Sequence, residues 1–242
     1  MGFYQPAQLV RDAKQHGVDV KPIDINNSNW DHQLEERSGK YRALRLGFRQ
    51  VKGLRVEDVE ILVSCRKQPY KSIDELRTIG LSNSTLERLA DADAFRSIGL
   101  DRRQALWEVT TKDHLQAMFS NQQSPDSIGE HISLPMLLPS EHVVQDYATT
   151  SLSLKAHPVS FVRSQLEQLH VTATTDLSKL KNGQAVKVAG LVLVRQMPGT
   201  AKGVWFMTIE DETGFANLVI FPNIELAYRE ALLNSRLFIA EG

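Results

Sequence analysis

Apolar residues along this chain recur first at helical and then at strand spacing, and the change falls near residue 184. Leu9, Val10 and Ala13 form a short helical stripe, with Pro6 where a first turn tolerates it and Gly17 where the helix can stop. Alternation in Val18-Asp19-Val20-Lys21-Pro22-Ile23-Asp24-Ile25 predicts a brief strand, closed by the turn-forming Asn26-Asn27-Ser28-Asn29. Leu44, Leu46 and Phe48 then supply an apolar surface, and Val56, Val59, Ile61, Leu62 and Val63 recur near a helical period. The segment Gly47-Phe48-Arg49-Gln50-Val51-Lys52-Gly53-Leu54-Arg55 between them reads as a hairpin joining two helices, with Gly53 free to turn at positive φ. A second helix, connection and helix follows: an apolar run over 86–89, then Ala90-Asp91-Ala92-Asp93-Ala94-Phe95, then Leu100-Asp101-Arg102-Arg103-Gln104-Ala105-Leu106-Trp107.

These patterns divide the chain. Residues 40–110 are expected to form one all-helical domain of two hairpin units, and 111–150 a linker, polar over Ser120-Asn121-Gln122-Gln123-Ser124-Pro125-Asp126-Ser127, with a short helix at 140–147. Residues 151–183 form a helical connector in which Phe161, Val162, Leu166 and Leu169 share a face. From 184 to 242 strands are expected at 185–195, 204–211 and 215–221, then a helix after Pro222 and a fourth strand at 236–240. Three meandering strands, a helix and a strand follow the order of an OB-fold β-barrel lacking its fifth strand. The predicted class is multidomain α+β, an all-α tandem helix-hairpin-helix region followed by a truncated OB-fold.

Charge and cysteine content narrow the chemistry. The chain has 242 residues and a formal net charge of −1, which excludes a wholly basic nucleic-acid coat but not a local basic face. The single cysteine, Cys65, leaves no internal disulfide or cysteine-based zinc site and fits a cytoplasmic protein. No apolar run is long enough to span a membrane. Seven histidines lack paired ligand spacing, and there is no phosphate-binding glycine loop or nucleophile elbow. The carboxylates of Asp91-Ala92-Asp93 and Glu210-Asp211-Glu212 fall in a helical connection and a solvent-facing hairpin turn, so no metal site is assigned to them.

What remains is a nucleic-acid surface. A hairpin that leads into a helix presents free amides and a positive helix end to a phosphate. The duplex candidates are Arg49, Lys52, Gly53, Leu54 and Arg55 in the first unit and Arg102 and Arg103 in the second. The single-strand candidates on the strand-rich part are Arg195, Lys202, Trp205 and Phe215, with Phe206 and Arg229 also available. Trp205 and Phe206 are adjacent in a strand, so at most one of them is core.

Several stretches together resemble bacterial C-family DNA polymerases, in particular the error-prone paralogue of the polymerase III alpha subunit. They are Met1-Gly2-Phe3-Tyr4-Gln5-Pro6-Ala7-Gln8-Leu9-Val10-Arg11-Asp12-Ala13, Leu46-Gly47-Phe48-Arg49-Gln50-Val51-Lys52-Gly53-Leu54, Ala90-Asp91-Ala92-Asp93-Ala94-Phe95, Ser153-Leu154-Lys155-Ala156-His157-Pro158 and Ala201-Lys202-Gly203-Val204-Trp205-Phe206-Met207-Thr208-Ile209-Glu210-Asp211-Glu212-Thr213-Gly214. The resemblance covers the chain. It implies the end of a fingers region at 1–39, a duplex-binding domain at 40–110 and an OB-fold for single-stranded template at 184–242. It also implies a bacterial cytoplasmic enzyme that copies past damaged bases using Mg²⁺ and deoxynucleoside triphosphates, with a sliding clamp and accessory translesion proteins as partners. The family's catalytic palm would precede Met1, so this chain alone is expected to be inactive and to hold no cofactor.

The sequence departs from the hairpin pattern at two places. Arg55 stands where the first loop usually has its second glycine, and Asp93 stands at a glycine position of the second. The first hairpin is therefore expected to grip DNA and the second to be structural. The alternative, from another class, is a free-standing DNA-binding repair scaffold without enzymatic activity. An RNA-binding synthetase module lacks an aminoacylation core.

Overall fold

The computed structural model describes residues 5–118, 134–135 and 137–242, so the polar run at 120–127 lies outside the described residues. The chain divides into two compact units, Met1–Leu154 and Lys155–Gly242.

In the first unit α1 (Pro6–Gln15) ends at His16, and Gly17 follows at φ 83°. Strand β1 (Val20–Lys21) pairs in parallel with β3 (Tyr41–Arg45), which pairs antiparallel with β2 (Gln33–Ser38). This three-stranded sheet, ordered β1-β3-β2, corrects the all-helical expectation. The approach to the first hairpin is a strand because Gly39, at φ 68°, lets the chain reverse tightly and period-two residues follow it. A 3-10 turn at Phe48–Gln50 leads to α2 (Val56–Cys65). Helices α3 (Ile73–Thr78) and α4 (Asn83–Asp91) start at Ser72 and Ser82, whose hydroxyls accept from the amides of Glu75 and Thr85. Helix α5 (Arg102–Met118) follows, and α6 (Pro139–Thr150) begins with proline at its first position. Phe48, Leu62, Leu76, Leu86, Leu89 and Phe95 are the centre of one continuous apolar core. Each such side chain contributes about 1.5–3 kcal/mol by leaving water.

In the second unit a 3-10 turn (Pro158–Val162) and α7 (Arg163–Gln168) replace the single expected helix. Strands β4 (Val171–Thr172), β5 (Lys187–Gln196), β6 (Trp205–Glu210) and β7 (Phe215–Ile220) precede α8 (Pro222–Asn234) and β8 (Leu237–Glu241). The five-stranded sheet is ordered β4-β5-β6-β7, with β8 on β5. No pairing closes β7 onto β8 among the described residues, so the sheet is open rather than the barrel expected. Gly190 sits where a Cβ would come within 2.6 Å of the Glu210 carbonyl oxygen, so only glycine allows β5 and β6 to approach so closely.

The turn after β6 corrects another expectation. Asp211 is fully buried, not solvent-facing. One carboxylate oxygen accepts from the amides of Thr213 and Gly214 and from the hydroxyls of Thr174 and Thr213; the other accepts from the Thr174 amide and from Arg163 Nη2 at 3.0 Å. Burial alone would push this carboxyl up. The hydrogen bonds from the Thr174 hydroxyl and amide, then those from Thr213 and Gly214, outweigh it and hold the group far below the usual carboxylate range.

Candidate nucleic-acid interface

The first hairpin is fixed from below and open above. Phe48 and Val51 are buried, and Gly47 packs so tightly that a Cβ would lie 2.4 Å from the Trp30 carbonyl oxygen. Gly53 takes φ 72° to turn the chain into α2. Helix α2 has Arg55 at its N-cap, which is extended and supplies no side-chain cap. The amides of Gly53, Arg55 and Val56 consequently have no acceptor among the described residues. A phosphate oxygen is the complement of such a cluster of amides at a positive helix end.

The cations around these amides are more committed than the sequence reading assumed. Lys52 Nζ donates to the carbonyls of Tyr147 and Ala148, at 3.2 and 2.8 Å, and its amide to Thr149, so it caps the last turn of α6. Arg55 is paired with Asp58 at 2.9 Å, although its side chain is 66% exposed. Asp58, which also accepts from the Thr85 hydroxyl at 2.6 Å, is held low by the Arg55 hydrogen bond. Arg49 bonds Asp31 at 2.6 Å on the surface, and Leu54 is core. Sequence reading missed Arg88 of α4, whose Nη1 donates to the Gly53 carbonyl. No local sequence signal marks it, because its acceptor lies 35 residues away.

The second unit is closed. Asp93 occupies φ 59° at the end of α4, with its amide on the Ala90 carbonyl, the following amide on Leu89, and its carboxylate 2.8 Å from Arg96. The Ala94 carbonyl accepts from the Ile25 amide, and the Asp24 carboxylate accepts from the Ser97 amide. At the start of α5 the Asp101 carboxylate accepts from the Gln104 amide, filling the position a phosphate would take. Arg102 is not a surface cation: it is buried, 2.5 Å from Asp146 and 3.0 Å from the His142 carbonyl of α6. Arg103 Nη1 bonds the Pro135 carbonyl. The difference between the hairpins is thus one of free amides more than of free cations.

On the second unit, Phe206 pairs across to Val219, Thr208 to Asn217 and Glu210 to Phe215, which places all six on one face of β6 and β7. Phe206, Phe215 and Val219 are exposed there, and Thr208 Oγ1 donates to Asn217 Oδ1. Trp205 points the other way and packs against Met207, Ile220 and Leu232, so Phe206 rather than Trp205 is the outward aromatic. Arg195 is half-buried and donates to the Ser235 carbonyl, which removes it from the candidate phosphate contacts. Arg229 is paired with Glu225, while Lys202 is exposed at φ 51° beside β6.

The helix-hairpin-helix motif model matches residues 17–105, the stretch that contains both hairpins. The chain is 48% identical over 268 residues to an error-prone DNA polymerase of Sinorhizobium medicae, covering all of this chain and 24% of that protein. Over its whole length the chain is similar to bacterial error-prone DNA polymerases. The chain is also covered in full by the error-prone DNA polymerases of Brucella abortus, 46% identical and spanned over 23% of its length, and Caulobacter vibrioides, 44% identical and spanned over 24%. The chain spans about a quarter of the length of the error-prone DNA polymerases it matches. No helix among the described residues is long and apolar enough to cross a membrane.

Proposed function

We propose that this chain is a DNA-holding part of an error-prone DNA polymerase, gripping duplex at the first hairpin and single-stranded template on the β6–β7 face. The observation that carries the reading is the contrast at two helix starts: α2 is uncapped with free amides, while α5 is capped by Asp101. Backbone phosphate contacts of this kind position DNA without reading its sequence.

Reading the second unit as a truncated OB-fold is supported by strand order, since β8 returns after α8 to pair with β5. On that reading Phe206 and Phe215 stack bases, with Lys202 meeting the backbone. Mg²⁺ and deoxynucleoside triphosphates would be handled by a palm outside this chain, and a sliding clamp and translesion proteins would be partners of the whole enzyme in a bacterial cytoplasm. Among the described residues no group of three or more His, Cys, Asp or Glu is placed to hold a metal ion, so no step is assigned to one here.

The test is a titration with a labelled primer-template junction, the duplex alone and the single strand alone, at two salt concentrations. The junction is expected to bind most tightly and with salt sensitivity. Phe206→Ala with Phe215→Ala should weaken the single strand on the order of tenfold or more, at ~1–3 kcal/mol per stacked base, and leave the duplex unchanged. Equal affinity for all three DNAs, or no effect of the aromatic changes, would count against the assignment.

A further inference from the structure

The ribbon of β2 and β3 ends in a cluster of cations that has no carboxylate partner among the described residues. Strand β1 pairs with the ribbon only at Leu44 and Arg45, so its distal half has no third strand beside it among the described residues. There Arg37 lies directly opposite Arg42, and Ser38 opposite Tyr41, across a turn containing Gly39 and Lys40. Arg37, Lys40 and Arg42 are all exposed. None has a carboxylate partner among the described residues: Arg42 Nε bonds the Glu35 carbonyl, and Lys40 sits 5.2 Å from the centre of the Tyr41 ring. The ribbon's inner charges behave differently, for Glu35 is held between Arg45 at 2.6 Å and Lys21 at 2.7 Å.

Like charges directly opposite each other destabilise a strand pair, because the Cβ atoms stand only about 5 Å apart. Arg37 and Arg42 therefore cost the free ribbon stability, and an anion between the two guanidiniums would reverse that sign. We propose that the Arg37–Arg42 pair, with Lys40 at the tip, is a second phosphate clamp for the backbone of duplex DNA. The proposal rests on the duplex-binding reading of the first hairpin. At about 3.3 Å per strand residue Arg42, five residues before Gly47, lies roughly 15–20 Å from it along the ribbon, so the clamp would meet a phosphate several base pairs along the duplex.

The test uses the full chain with fluorescein-labelled duplexes of about 10 and about 20 base pairs, titrated from 50 to 200 mM salt. Arg37→Glu turns the like-charge pair into an opposite-charge pair. It is expected to keep or raise the melting temperature, to weaken the longer duplex on the order of tenfold, and to flatten its salt dependence by about 0.9 in log–log slope for each phosphate lost. The short duplex should be affected less. Arg42→Glu, the reciprocal change, should do the same, which guards against a local folding defect in either one. If the wild-type chain binds duplex and both variants match it in affinity and slope, the clamp is wrong and the first-hairpin reading stands. If the wild-type chain binds no duplex at 50 mM salt, the duplex-binding reading fails and the clamp fails with it.

Discussion

Replacing Asp211 by alanine is expected to unfold the second unit selectively. The substitution removes the acceptor of both amides of the turn, two threonine hydroxyls and Arg163 at once. It leaves buried donors unmatched, and breaking a buried charge pair from one side costs about 3–5 kcal/mol. Hydrogen exchange read by segment should show protection lost over β5 to β7 and retained in the helices of the first unit; unchanged protection in the strands would refute the role given to this turn. The same group predicts a pH dependence. Its carboxyl is depressed in the folded state, so its stabilisation is fully present above about pH 4, the unfolded value, and is lost as pH falls below it. Asp211→Asn should flatten that acid limb.

Arg102→Ala is expected to have a comparable effect on the first unit. Arg102 is 1% exposed and joins α5 to α6 through Asp146, which also accepts from the Ser153 hydroxyl. Truncation would leave a buried carboxylate short of its cation, again about 3–5 kcal/mol. The double change Arg102→Met with Asp146→Leu should recover much of the loss, since an apolar pair of similar volume removes both charges together. A mild effect of Arg102→Ala on denaturant unfolding would show that the pair is dispensable. Any loss of DNA binding by an Arg102 variant would then reflect folding, so Arg102 cannot serve as a control for surface charge.

How much of this was legible in the sequence depends on the range of the interactions involved. Local signals were read correctly where they were strong: Pro6 and Gly17 bounding α1, the turn at Gly53, and the β5, β6, α8 and β8 order. The ribbon at 33–45 is not evident from the sequence because the alternate spacing of the apolar Leu44, Leu46 and Phe48 suits a strand as well as a helix face. Arg102 was misplaced because a charged residue at a helix start is ordinarily exposed, and only contact with α6, 44 residues further on, reveals its partner. Lys52, Arg88 and Arg195 followed the same logic: each donates to a carbonyl distant in sequence, which composition and period cannot show. Asp211 was read as surface because Glu210-Asp211-Glu212 looks solvated; the buried member is marked only by the Thr213-Gly214 that follows, a turn signal for an aspartate that bonds amides two and three residues on. The sequence also carries an expected asymmetry in DNA grip between the hairpins, drawn from Arg55 and Asp93 standing at glycine positions.

That asymmetry is tested most directly by measuring duplex affinity for Arg55→Ser beside Arg103→Ser. A serine at position 55 removes a cation and offers a hydroxyl to the amides that are free in α2, whereas Arg103 lies beside a helix start that Asp101 already occupies. The account predicts a loss on the order of tenfold at low salt, with a shallower salt slope, for Arg55→Ser and an affinity close to wild type for Arg103→Ser. Equal losses for the two variants, or a larger loss at Arg103, would contradict it.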